Sequence, residues 1–472
     1  MQQKKDSYPY IHGINRPIPE LENLMKLIAL LSALSTTVCA AAVKPLVIYG
    51  EDNRKEVYEA RESFQLLARS TAVMIPNEKI QTHASLPGHY QFSQTTLKEW
   101  FDGNSGETPV LNLFSPMSML SIRLPNAFPL CSDTRFSNQP NPGECSGFLI
   151  GPDLLMTAGH CVDSEELCEK NKWVFDYNLE KDTQRAGLAV RKENIYSCKK
   201  IAVSFVDEET LEDYGIVQLD RPVTGRQPVA LRTESKILDN QSVVVIGSPS
   251  GQPIKVTDGA FVRDNTNELY FSANLDSFQG NSGSAVFNAD SGLVEGVLVR
   301  GEEDYLPNMK RLCLQVNRCK DDACMGEEVN RTTSIPEVAN QKALYEAAVT
   351  GNLVALKEIL EKEIWVDFYT QDGQNALIKA SASAQVGAMK MLLAYKADVH
   401  HKDANGNTAL HELAKVLNKK NRKAFDVLKK AGAKLEEYNN QGETPLIVAI
   451  KSFNIFAVKV ILSESAGRNN SK

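Results

Sequence analysis

The sequence predicts a multidomain chain in which an all-β double Greek-key barrel is followed by an all-α repeat solenoid. Three observations predict it. Residues 116–330 break into short apolar runs, among them Val243-Val244-Val245-Ile246, Ala285-Val286-Phe287 and Leu293 to Val299, each stopped by Gly, Pro or Asn. Such runs read as strands joined by tight turns. Eight of the nine cysteines fall between Cys131 and Cys324, inside the same region. Beyond residue 341 a Gly-x-Thr-x-Leu frame recurs at Gly373, Gly406 and Gly442, with spacings of 33 and 36 residues. A period of that size marks stacked helical units.

Leu27 to Val43 is nearly all apolar or small and ends in Ala40-Ala41-Ala42, the pattern of a secretory signal peptide over 25–42. Residues 1–24 mix Lys4, Lys5 and Arg16 with Asp6, Glu20 and Glu22, so translation is expected to begin at Met25. About seventeen residues interrupted by Ser32, Ser35, Thr36 and Thr37 are short and polar for a membrane span, and no stable anchor is expected after signal removal. Residues 43–115 are either an N-terminal part of the β unit or a propeptide. The whole chain of 472 residues is 42% hydrophobic with a net charge of −7, enough for ordinary cores and without the basic stripe that nucleic acid requires.

Within 116–330, His160 in Thr157-Ala158-Gly159-His160-Cys161 is the only histidine between residues 90 and 399. A serine nucleophile working near neutral pH needs one imidazole as general base. Ser282 stands in Gly280-Asn281-Ser282-Gly283-Ser284, where flanking glycines let the backbone turn sharply and aim N–H groups at one spot. Asp213 opens the run Asp213-Tyr214-Gly215-Ile216-Val217-Gln218-Leu219, placed to hold the second imidazole nitrogen. Taken singly, these residues also read as a core histidine, a strand-end charge and a Gly/Ser turn.

Together the three motifs resemble the trypsin-like serine peptidases of the chymotrypsin fold, in which base, acid and nucleophile follow in this order. The Asn281 form of the nucleophile loop is similar to that of the bacterial glutamyl-endopeptidase branch. The likeness extends from Val47-Ile48-Tyr49-Gly50-Glu51-Asp52-Asn53-Arg54 to Leu293 to Val299, about residues 45 to 330. It implies that His160 is general base, Asp213 its orienter and Ser282 the nucleophile, with an oxyanion hole from the Gly280 and Ser282 N–H groups. It also implies no cofactor. Two departures matter. Asn281 replaces the aspartate that pairs with a newly cut N-terminal ammonium, so that switch is not expected in its usual form. Phe278 stands where many animal members carry a cysteine.

Asp276, six residues before Ser282, resembles the floor of the pocket that receives Arg or Lys before the scissile bond. The competing reading makes it a loop acid that accepts backbone amides. Arg300, beside Gly301 on the pocket wall, is placed either to neutralise Asp276 or to receive an acidic side chain. Leu298 replaces the histidine with which glutamyl endopeptidases read an acid.

Removing Cys39 with the signal leaves an even set, as export to an oxidising compartment, secreted or periplasmic, favours. Phe148-Leu149-Ile150 and Leu154-Leu155-Met156 read as a hairpin about Asp153. Cys145 and Cys161 are equidistant from that centre, which predicts their disulfide beside His160. The other six allow 15 connectivities. No Cys-x-x-Cys is present and the one histidine is already assigned, so no metal site is expected.

Polar residues from Gly326 to Gln341, including Pro336, read as a linker, placed at 331–340. Residues 341–466 resemble an ankyrin array of three full repeats and a shorter C-terminal one, with turn tips near Asp372, Asn405 and Gln441. His411 then reads as a structural turn residue. Such arrays bind proteins, so a protein partner is expected there, beside a protein or peptide substrate at Ser282. The expected function is a secreted serine endopeptidase working through an acyl-enzyme on Ser282. The alternative is a catalytically silent peptidase fold that acts as a binding module.

Overall fold

The computed structural model describes residues 47–103, 128–181, 188–419 and 421–469. The signal peptide and N-terminal extension expected over 1–42 lie outside them.

Six strands close the first barrel. They are β1 (Thr71–Pro76), β2 (Cys145–Leu149), β3 (Leu154–Thr157), β4 (Asn171–Phe175), β5 (Ile195–Val206) and β6 (Asp213–Leu219), in the order β5-β6-β3-β2-β1-β4 around the ring. All six residues of β1 are buried, and Val73 pairs with Ser146 on one side and Val174 on the other. A strand that satisfies two neighbours cannot leave without exposing both edges.

The second barrel closes in the same way from β7 (Ser242–Gly247), β8 (Lys255–Asp264), β9 (Tyr270–Ala273), β10 (Ala285–Asn288), β11 (Val294–Arg300) and β12 (Glu327–Arg331), ordered β7-β10-β11-β12-β9-β8. Arg54–Glu56 adds a short strand outside β8, where Lys255 and Glu56 meet at 3.1 Å in a buried ion pair. Two six-stranded barrels in sequence are the double Greek-key architecture, a chymotrypsin-like fold.

Residues 331–340 are not a linker. Glu327–Arg331 is the strand that closes the second barrel against β11 and β9, and Pro336 begins a helix two turns earlier than the repeat pattern suggests. Polar residues misled the reading because β12 alternates buried polar groups with one apolar residue, Val329. Pro336 is the first residue of the helix, where its missing N–H costs nothing.

Four helix pairs follow: α1 (Pro336–Thr350) with α2 (Leu353–Leu360), α3 (Ala376–Ala382) with α4 (Val386–Ala394), α5 (Ala409–Val416) with α6 (Arg422–Lys430), and α7 (Pro445–Lys451) with α8 (Ile455–Asn469). The last pair is not shortened, since α8 has 15 residues. The repeated frame supplies the caps. Asn375, which stands where the frame has Thr, accepts the Ile378 N–H, while the hydroxyl of Thr408 meets Nδ1 of His411 at 2.9 Å. His411 is buried and its Nε2 lies 3.0 Å from the Glu443 carbonyl, so it ties one repeat to the next. The tips stack too: Ala404 N–H donates to the Asp372 carbonyl and Asn440 N–H to that of Asn405.

The array is not hung from the β unit on a tether. Ile335, Val338, Phe368 and Tyr369 belong to the same buried cluster as Leu149, Ile150 and Leu154 of the first barrel.

Candidate active site

His160 owes its position to the register of the first barrel. β6 pairs with β3 so that Gly215 faces Thr157. Continuing that register by two residues sets Asp213 against Gly159, next to the histidine. The Asp213 carboxylate holds His160 twice, through the backbone N–H at 3.1 Å and ring Nδ1 at 2.6 Å. Its own backbone N–H donates to Asn330 Oδ1 at 2.8 Å. Asp213 is 6% exposed and His160 36%, which leaves the ring's other nitrogen toward the open side.

Ser282 lies in the loop between β9 and β10, pinned from both barrels. Gly283 N–H donates to the Leu298 carbonyl on β11, and Ser146 on β2 donates its N–H to the Ser282 carbonyl and its hydroxyl to that of Gly280, all at 2.8 Å. Gly280 and Gly283 have φ of +94° and +84°, the left-handed region that favours glycine. At Gly283 a Cβ would also come within 2.2 Å of the Ser146 carbonyl and the Thr157 hydroxyl. Among the described residues, the N–H groups of Gly280 and Ser282 donate to no protein acceptor. The base segment closes on this loop, with Cys161 Sγ 3.8 Å from the Ser282 carbonyl.

Cys145 and Cys161 are joined, Cα atoms 6.3 Å apart. The hairpin is centred on Pro152 rather than Asp153, since Phe148 faces Met156. Cys145 would then oppose Gly159, and the 3-10 turn Gly159–Cys161 returns the second cysteine to it. The other bridges are Cys131–Cys313, Cys168–Cys198 and Cys319–Cys324. Cys145, His160 and Cys161 form the close grouping of metal-type ligands among the described residues, and both sulfurs are spent in the disulfide.

The pocket residues are arranged otherwise than expected. Asp276 is buried, and its two oxygens accept the N–H groups of Tyr49 and Asn53, each at 2.7 Å. Burial pushes its pKa up to about 7 against those two hydrogen bonds. It is a loop acid, and the basic preference read from it loses its basis. Arg300 does not neutralise it. Its Nε pairs with Glu328 at 2.7 Å and its NH2 bonds the Leu211 carbonyl, because neighbouring β11 and β12 bring Arg300 and Glu328 face to face. Gly301 is buried directly after β11. A concavity of about 700 Å³, lined by Lys172, Lys192, Asp220 and Arg221 among others, lies on the first barrel and contains none of these residues.

Asn330 was missed by the sequence reading. Its signal was the Val329-Asn330-Arg331 alternation inside the supposed linker. Asn281 donates Nδ2–H to the Ser277 hydroxyl and accepts from Ser284, and buried Phe278 carries the Arg54 guanidinium 4.1 Å above its ring.

Comparison with known families agrees with this composition. A trypsin-like peptidase domain model matches residues 145–297, and an ankyrin repeat model of three copies matches residues 382–472. Two curated proteins are similar over 102 residues each: the inactive serine/threonine-protein kinase TEX14 of Mus musculus at 33% identity and that of Bos taurus at 32%. Each match covers 22% of this chain and 7% of the kinase. The chain thus combines a trypsin-like peptidase domain with ankyrin repeats.

Proposed function

We propose that this chain is a serine endopeptidase, exported to an oxidising compartment, whose ankyrin array binds a protein partner. One observation carries the reading. The Asp213 carboxylate grips both the ring and the backbone of His160 while two unspent N–H groups flank Ser282.

With Nδ1–H held by Asp213, the lone pair on Nε2 is the one available to take a proton. Ser282 Oγ attacks the scissile carbonyl as His160 accepts its proton. The Gly280 and Ser282 N–H groups meet the oxyanion that develops. Collapse breaks the C–N bond with the proton passed from His160 to the departing amine, and water reverses the steps to free Ser282. Four disulfides suit an oxidising compartment, and no helix among the described residues is long and apolar enough to cross a membrane. Residues 47–101 belong to the working enzyme, because β1 is a stave of the first barrel. Of the glutamyl-endopeptidase likeness, the loop with Asn281 remains and the acid-reading histidine is replaced by Leu298.

A fluorophosphonate probe tests this by intact mass. One adduct on the wild type and none on Ser282→Ala is the expected result; no adduct on either would sink the catalytic reading.

A further inference from the structure

Asp213 opens β6 and is buried, and on the β3 side the ladder begins only at Gly215, two residues later. A buried backbone N–H needs an acceptor from somewhere. At Asp213 that acceptor is a side chain of the second barrel, Asn330 Oδ1 at 2.8 Å. Asn330 is itself fully buried on β12, where it faces Val297 of β11. The next pair along is Val329 with Leu298, and the Leu298 carbonyl accepts the Gly283 N–H of the nucleophile loop at 2.8 Å. Two adjacent rungs of one strand pair therefore hold both ends of the triad, the acid by a side chain and the serine loop by a carbonyl.

The other end of the Asn330 amide is held from outside the sheet. Its Nδ2–H donates to the Ser334 hydroxyl at 3.1 Å, and that hydroxyl lies 2.9 Å from the Arg331 carbonyl and 3.2 Å from the Leu269 carbonyl. Ile335 follows directly, capping α1 and buried in the core that the first barrel shares with Val338 of that helix. An amide suits this place because it accepts with its oxygen and donates with its nitrogen at once. An ionised carboxylate of the same shape would have nothing to give Ser334 and would set a second negative charge beside Asp213.

We infer that Asn330 is a positioning residue of the triad: it fixes Asp213 relative to the Ser282 loop, and Ser334, at the entrance to the repeat array, fixes the plane of its amide. The inference rests on the peptidase reading of His160, Asp213 and Ser282. Among the described residues the side-chain hydrogen bonds of Asn330 go to Asp213, Arg331 and Ser334, none of them in the nucleophile loop. Its action on Ser282 therefore runs through the acid and the histidine. A displacement of α1 reaches Asp213 through two hydrogen bonds.

The test uses the full chain and two readouts. The first is the far-downfield proton resonance of His160 Nδ1–H, read in the cold and identified by its loss in His160→Ala. The second is the rate of fluorophosphonate labelling at saturating probe, at a temperature where every variant is folded. Asn330→Ala is expected to move the resonance upfield and to slow labelling about tenfold or more. Ser334→Ala, which leaves the bond to Asp213 but frees the amide, should slow it less, and the double variant should be no slower than Asn330→Ala alone. If Asn330→Ala does not fold, the resonance and rate of Ser334→Ala decide. A lower melting temperature with unmoved resonance and unchanged labelling makes Asn330 a packing residue and overturns the inference. Additive losses in the double variant overturn the part given to Ser334. A wild type that is never labelled, with a resonance that still moves in Asn330→Ala, keeps the positioning and discards the peptidase.

Discussion

The hydroxyl of Tyr369, in the first ankyrin repeat, donates to the carboxylate of Asp153, at the tip of the hairpin whose strands carry Cys145 and lead to His160. The Tyr369 ring lies against Gly151 and against His401, its centroid 4.4 Å from the imidazole. Burial first, and the Asp153 charge second, hold the phenol well above its usual pKa, so it stays a donor. Tyr369→Phe should keep the packing and lose the bond, a cost of about 1–2 kcal/mol in urea unfolding. No change in stability would mean that the bond is compensated by solvent.

The shared core makes the array hard to remove. Cutting the chain at residue 340 uncovers the barrel surface that Phe368 and Tyr369 seal and cuts through α1 (Pro336–Thr350), leaving only its first turn. The truncated protein is expected to melt lower and to aggregate, as read by light scattering on heating. A truncated protein with unaltered melting would show that the peptidase folds independently of the repeats.

Asp213→Asn keeps an oxygen for the His160 N–H but gives up the charge that stabilises an imidazolium. The expected loss in kcat/KM is about 10⁴-fold, with the circular dichroism spectrum unchanged. A loss below about tenfold would place the acid's role elsewhere.

Replacing Cys145 and Cys161 together by alanine opens a loop spanning 16 positions. Chain entropy sets the cost at about 3 kcal/mol. Thermal unfolding measures it, and a fall in kcat/KM at temperatures where both proteins are folded would report that the bridge also braces His160.

Asp304 is buried and accepts the Gln279 N–H at 3.0 Å; burial pushes its pKa up to about 8, against a free value of 3.8. Between those values the folded chain holds a proton that the unfolded chain releases, so stability falls as pH rises. Asp304→Asn keeps an acceptor and removes that dependence. Its stability relative to wild type should be better at pH 8 than at pH 5 by roughly 3–4 kcal/mol. The reverse order would mean that the carboxylate is charged and paired in the native state.

How much of the site was legible depended on range. His160, Asp213 and Ser282 were legible as candidates because each lies in a short motif that reports its own backbone: glycines at 280 and 283 that tolerate positive φ, and an acid at the head of an apolar strand. Asn330 was hidden, since nothing near it in the chain marks a bond to the Asp213 N–H 117 positions away.

By itself the sequence determined what is local or periodic: an all-β unit from short punctuated strands, a helical array from a 33-residue period, eight cysteines gathered between Cys131 and Cys324, and one candidate base. Tertiary structure alone decided which charge meets which partner. Asp276 was a pocket floor or a loop acid until Tyr49 and Asn53, more than 220 positions earlier, brought their amides to it. Arg300 was free to choose until Glu328 came opposite on the neighbouring strand. Residues 326–341 read as polar linker until one side of them closed a barrel and the other joined its core. The physical reason is that burial and electrostatic pairing are properties of the space around a side chain, and that space is built from segments the local sequence does not contain.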